Sequence, residues 1–318
     1  MALSPEEKEI IDAQFEQDVL ALVVAWKAAE EALTRLATDP QLIALSAGLD
    51  DAAADLRRIE LMRAADRELN RMIVATDTWG QRVMASEVYA GTTSALKEIA
   101  EQGASTTLIG ALGGANTRSI SVLVQELRDD ARSVADSSRR VLRRHFRSTQ
   151  QEIVSEAAIN ATLLAGEVAG RDVRQRAAAV ATLFSTKAAN GQFVQINGRF
   201  FKPSTYGDII ARTRMIEASV QGQINATVAS GFDLVRVSDH GKTDKFCDPF
   251  AGKVYSLSGD HSRFPPLKER PPFHPRCRHI LTPFIEEFKT PDELAYAIAR
   301  TEDRVAPGVP IQEFLNDR

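Results

Sequence analysis

The sequence predicts a mainly α protein: a long helical N-terminal region, then a small α+β C-terminal domain with a hairpin, one long helix and an irregular loop containing Cys and His. Three observations predict it. Apolar residues recur at spacings of three and four through much of the first 185 residues, among abundant alanine. An Asn-Gly pair at 197–198 then separates two short runs of strand-forming residues. Finally, residues 239–284 gather both cysteines and four of the five histidines, a concentration foreign to the helical sequence before it.

Taken in order, Ser4-Pro5-Glu6-Glu7 reads as a helix start, with Ser as cap, Pro in the first turn and Glu closing a capping box. Ile11, Phe15, Val19, Leu22 and Trp26 follow on one face. A second helical segment is predicted over 40–75 and a third over 81–102. The run Gly110-Ala111-Leu112-Gly113-Gly114 lacks the Gly-Lys-Ser/Thr ending of a phosphate loop and is read as a turn or hinge. Helix resumes after Asn116-Thr117 and extends to about residue 189. Within it Arg139, Arg140, Arg143, Arg144 and Arg147 fall within about 140° of one another at helical spacing. Such a basic stripe suits nucleic-acid phosphates, and equally a solvated face paired with acidic neighbours.

The domain boundary is placed near residue 185, dividing a helical region (1–185) from an α+β domain (186–290) and a C-terminal helix and tail (291–318). Runs 193–196 and 199–202 form the hairpin. Pro203-Ser204-Thr205 caps a helix reaching about residue 230. Strands are predicted over 234–238, 254–257 and 279–284, and Thr290-Pro291-Asp292-Glu293 starts another capped helix.

Composition narrows the function classes. At 318 residues the chain has room for two domains and a full core. Residues 1–100 carry 18 Asp and Glu against 10 Lys and Arg, a net of −8 that leaves the remainder at +4. The imbalance suggests an acidic helical half and a basic half facing a partner. Two cysteines do not make a disulfide framework, so a reducing compartment is expected. The start MALSPEEKEI lacks the basic and apolar regions of a signal peptide, and the longest apolar run, residues 19–26, is far short of the ~20 a membrane span needs. No membrane partner is expected.

Cys247, His274, Cys277 and His279 supply two sulfurs and two nitrogens, a set that suits tetrahedral zinc, with His240 and His261 as spare donors. The spacing, Cys-x26-His-x2-Cys-x-His, differs from two short facing clusters. Two other readings stay open: buried cysteines with histidines bonded to loop backbone, or a disulfide. The prolines at 265, 266, 271, 272 and 275 exclude a helix interior or central strand, so the loop needs some fixing agent. Enzyme signatures are missing: there is no HExxH, GxSxG or dinucleotide fingerprint, and neither half of a deaminase motif. Asp239-His240, Asp244 and Asp248 offer an acid/base or metal-nuclease set, though carboxylates in such a loop more often serve as turn residues.

From about residue 194 to 284 the sequence resembles the phage Mu F-like head morphogenesis family, minor capsid proteins of tailed phages. The matching blocks are Thr205-Tyr206 with Arg212-Thr213, then residues 231–240 (GFDLVRVSDH), Cys247, residues 252–259 (GKVYSLSG), and residues 272–279 (PFHPRCRH). The resemblance implies a structural protein of the virion, present in few copies inside the head. It would bind the portal protein at the portal vertex and assist assembly, genome packaging or delivery. Two departures stand out. Many relatives carry a second cysteine just after the first, where this chain has Pro249 or Phe250, and the usual Asn is Arg276 here.

Residues 240–284 hold eight Lys and Arg against four Asp and Glu, compatible with a place near packaged DNA. In this frame Cys247, His274, Cys277 and His279 hold the loop together without catalysis, with or without zinc. Arg212 is expected to bond the loop's carbonyls or Asp239, with His240 beside it. The alternative is a DNA-processing or toxin-like effector enzyme carried in the particle, using the Asp239–Asp248 and His274–His279 groups. A milder option is a non-specific DNA-binding module.

Overall fold

A computed structural model of the chain describes residues 5–47, 51–104, 109–165, 187–240 and 245–316. It is 67% helical, which establishes the mainly α class. Helices α1 (Pro5–Ala37), α2 (Pro40–Ala47), α3 (Asp51–Glu101) and α4 (Ile109–Ala165) come first. The hairpin strands β1 (Val194–Ile196) and β2 (Arg199–Phe201) lead into α5 (Pro203–Ala229). Strands β3 (Leu234–Val237), β4 (Val254–Ser256) and β5 (Leu281–Pro283) form one antiparallel sheet in the order β4-β3-β5. Helices α6 (Pro291–Thr301) and α7 (Ile311–Asn316) follow. The Ser4 cap and the boundary near residue 185 lie outside the described residues.

Two expected breaks are corrected. The second and third helical segments are joined, because α3 continues through residues 76–80 with Trp79 buried. The Gly110–Gly114 run is helical, forming the first turns of α4, and the turn comes earlier, where Gly103 takes φ 97° after α3. A helical glycine costs about 1 kcal/mol relative to alanine, and burial of Leu112 in the same turns works against that cost, while the buried Asn116 side chain is hydrogen-bonded to Thr92 and Asn225.

The chain forms two compact units, each assembled from separate stretches, so that α1, α3, α4 and α5 each contribute to both. One unit comprises Gln17–Thr78 and Arg128–Asp208. Its core centres on Trp26, fully buried, whose indole N–H donates to Thr76 Oγ1 at 2.9 Å. The hairpin docks here: Phe193 and Val194 are buried, and Gln195 N–H donates to Ser137 Oγ at 2.8 Å. Asn197 (φ 48°) and Gly198 (φ 76°) make the predicted tight turn, with Ile196 paired to Arg199. Glu30 receives the Ser204 hydroxyl (2.6 Å) and backbone N–H (3.2 Å) at the start of α5.

The other unit comprises Met1–Glu16, Trp79–Leu127 and Ile209–Arg318. Helices α3 and α5 meet backbone to backbone at Gly91 and Gly222. Beside that crossing Thr92 Oγ1 donates to Val88 O (2.8 Å), Asn116 Nδ2 to Thr92 Oγ1 (3.0 Å) and Asn225 Nδ2 to Asn116 Oδ1 (2.9 Å). The strands alternate as period two requires. Val235, Val237 and Leu281 cluster with Val220, Ile216 and Ile224 of α5. Leu234, Val254, Phe264 and Phe284 cluster with Ala297 and Leu294 of α6. The sheet is thus covered on both faces. Thr290 and Glu293 form the predicted capping box at the start of α6.

Candidate metal centre

The register Val237↔Leu281 fixes what comes next in space. It sets the residues leaving β3 beside those entering β5, and Ser238 N–H donates to Ile280 O at 2.9 Å while Ile280 N–H donates to Ser238 Oγ at 3.0 Å. His279 is therefore delivered to the end of the sheet opposite His240, and the two rings meet edge to face with centroids 4.8 Å apart. Cys277 is turned inward by a tight bend: its N–H donates to His274 O at 3.0 Å, and Arg276 takes φ 66°. Cys247 comes from a separate turn, where its carbonyl accepts Phe250 N–H (2.8 Å) and Ala251 N–H (3.0 Å). Arg300 secures that turn from α6, donating to Asp248 O and Val305 O at 3.2 Å each while almost wholly buried.

Three of the four predicted donors, Cys247, Cys277 and His279, converge, and His274 touches Cys247. Cys247 Sγ and Cys277 Sγ are 3.9 Å apart with no disulfide between them. Cys277 Sγ lies 3.6 Å from His279 Nδ1, and Cys247 Sγ lies 2.9 Å from His274 Nε2. Cys247, Cys277 and His279 are all buried, and one ligand atom from each lies within 4.8 Å of the others. His274, half-buried, reaches the group through Cys247. Its other ring nitrogen, Nδ1, is 2.8 Å from Pro275 O, and in the tautomer that donates from Nδ1 the Nε2 lone pair faces the sulfur. Burial holds the His279 imidazole below the usual histidine range, with the neighbouring His240 adding to the effect and Asp239 opposing it. Phe250 and Phe273, stacked at 4.2 Å, wall one side, with the Phe273 ring edge-on to His279.

The remaining predicted residues serve other contacts. His240, exposed, has Nε2 at 3.2 Å from both Ser238 Oγ and Arg278 O. His261 stands apart: its Nδ1 accepts the Arg263 and Phe264 N–H groups, and its Nε2 faces Glu286 at 3.3 Å. Arg212 places both terminal nitrogens on Glu16 of α1 at 2.6 Å. Asp239 accepts the Gly308 N–H at 2.7 Å. Asp244 lies outside the described residues. Of the arginine stripe on α4, Arg140, Arg143, Arg144 and Arg147 are exposed, whereas Arg139 is tied to Asp66 (2.7 Å) and Asp136 (2.8 Å). No pattern in the sequence signals the Arg212–Glu16 pair or the Arg300 clamp, since both join residues distant along the chain or depend on burial.

A shallow cavity of about 310 Å³ opens beside Cys277, lined by Phe15, Glu16, Arg212, Ile216, Arg276 and Arg278. The described helices contain none long and apolar enough to cross a membrane.

Comparison with known proteins decides the family. The family model described as phage minor capsid protein 2 matches residues 10–306, nearly the whole chain. The chain belongs to this family. No curated protein and no solved structure matches it. This minor capsid protein is therefore a structural component of the phage capsid, and so of the virion. The match takes in the helical region, which the likeness read from residues 194–284 did not reach.

Proposed function

We propose that this minor capsid protein acts inside the head at the portal vertex, binding the portal protein through its helices and assisting assembly, genome packaging or delivery. It does so as a structural part with no catalytic role. The observation that carries the reading is the family match through residues 10–306, which makes the helices as much a part of a minor capsid protein as the loop. Two features support it. Long helices offer extended faces for ridge-into-groove packing on other helical subunits. The exposed Arg140, Arg143, Arg144 and Arg147 suit packaged DNA, whose phosphates would release counterions on contact. Asp239, a candidate acid of the enzyme alternative, instead holds the backbone of the C-terminal segment at Gly308. Quantitative mass spectrometry of purified particles, counting this chain against the portal protein, tests the proposal. A fixed low ratio that survives removal of the DNA is expected. Absence from particles, or release with the DNA, would overturn it.

A further inference from the structure

We propose that Cys247, Cys277, His279 and His274 form a structural zinc site that closes the loop at the end of the β4-β3-β5 sheet. The inference concerns the loop alone and holds wherever in the capsid the chain sits.

Tetrahedral zinc holds sulfur at about 2.3 Å and imidazole nitrogen at about 2.0–2.1 Å, which places two sulfurs roughly 3.8 Å apart and a sulfur and nitrogen roughly 3.5 Å apart. The sulfurs of Cys247 and Cys277 are separated by 3.9 Å, and Cys277 Sγ and His279 Nδ1 by 3.6 Å. Two edges of the tetrahedron therefore already have the right length. A disulfide needs the same sulfurs at about 2.05 Å, well inside the observed separation. His274 stands outside the close cluster of the other three, touching only Cys247, and that edge, 2.9 Å from Sγ to Nε2, is shorter than a zinc site allows, so His274 swings away from Cys247 and toward the other donors when the ion binds. It is half-buried on an irregular loop, the member of the set freest to do so.

The donor chemistry agrees. A Cys2His2 set closes four-coordinate zinc with no position left for water, which marks a structural and not a hydrolytic site. Both cysteines bind as thiolates, releasing their protons to solvent, so ion and ligands together carry no net charge. That neutrality permits burial of the group among Phe250, Phe273 and the sheet, where an uncompensated charge would be costly. The Nδ1 contact of His274 with Pro275 O is the outer hydrogen bond that orients a metal-bound imidazole. The loop also needs such a link. Its prolines at 265, 266, 271, 272 and 275 take away backbone donors. Cys247 and Cys277 lie 30 residues apart, and one ion would tie both turns to the strand that follows.

The test uses the full chain purified under reducing conditions, with metal content measured by elemental mass spectrometry and Co(II) substituted for zinc as a spectroscopic probe. One zinc per chain is expected. The Co(II) form should show thiolate charge-transfer absorption with the intense visible bands of a tetrahedral centre. Cys277→Ser and Cys247→Ser should lose the metal, His274→Ala should bind it at least tenfold more weakly, and His240→Ala should retain it. Because the cysteine variants risk misfolding, the wild-type Co(II) spectrum and thiol titration stand independently of them. A reduced, folded chain that takes up neither ion, or one whose cysteines titrate as a disulfide, would overturn the proposal. Retention of metal by His274→Ala alongside its loss in His240→Ala would overturn the assignment of the fourth ligand.

Discussion

Replacing Gly222 with alanine should cost this protein far more than a single methyl group suggests. A Cβ at Gly222 would sit 2.0 Å from Val88 O and 2.8 Å from Thr92 N, both backbone atoms of α3 that no rotamer change can move. Ordinary contact begins at 3.4 Å, so the two helices would have to part by about 1.4 Å at their crossing. Overpacking of this kind costs about 1–3 kcal/mol, and the clash with backbone puts it at the upper end. The Thr92 hydroxyl gives its one proton to Val88 O at 2.8 Å, so loss of its longer 3.3 Å contact with Gly222 O adds little. Alanine's better helix propensity returns about 1 kcal/mol, leaving a net loss of roughly 2 kcal/mol. Urea unfolding followed by far-UV circular dichroism measures it. Gly113→Ala is the control, because a Cβ there meets nothing within 4 Å and should bring a small gain. If Gly222→Ala is as stable as the parent, or gains as Gly113→Ala does, the close crossing of α3 and α5 is wrong.

Arg300→Ala should lower stability by about 3 kcal/mol, since it removes a buried side chain and leaves the carbonyls of Asp248 and Val305 without these donors. Arg300→Lys should recover only part, and a urea midpoint for Arg300→Ala matching the parent would refute the clamp. Acid should weaken the fold through Asp233. Burial pushes its pKa up, but the Ser256 hydroxyl (2.5 Å) and Ser258 N–H (2.7 Å) prevail and hold it below the ordinary aspartate range. A depressed folded pKa means the unfolded chain takes the proton first. The stability Asp233 contributes is complete above the unfolded pKa of about 4 and is lost as pH falls through the lower folded value. Asp233→Asn should therefore show a shallower decline of urea midpoint below about pH 4, and an unchanged slope would sink the assignment.

Much of this architecture was legible because it rests on local signals. Asn197-Gly198 supplied both positive-φ residues a tight hairpin requires, and Thr290 with Glu293 could cap a helix in any context. What escaped was tertiary. Glycine in a helical pattern carries two opposite meanings, and sequence alone does not separate them. Gly113 and Gly114 look like breakers yet lie in α4, whereas Gly91 and Gly222 look like weak points and are where two helices touch. Arg212 lines one cavity with Arg276, Cys277 and Arg278 of the loop, but its ion-pair partner Glu16 lies 196 residues away, a distance over which charge pattern carries no information.

The metal-capable cluster shows how far such reading extends. Residue types named the donors, but their convergence depends on one pairing, β3 against β5, which the sequence supports only as two candidate strands. Once Val237 faces Leu281, His240 and His279 must meet, and the two-residue step from His279 back to Cys277 brings a thiol to the same end of the sheet. Cys247 then needs only a turn that reaches that end, and Gly252 N–H bonding to Val237 O at 3.0 Å anchors it there. The choice between His274 and His240 as fourth ligand could not come from spacing. It turns on which ring places a nitrogen against a cysteine sulfur. His240 Nε2 lies beside Ser238 and Arg278, while His274 keeps Nε2 toward Cys247 because Pro275 O engages its other nitrogen.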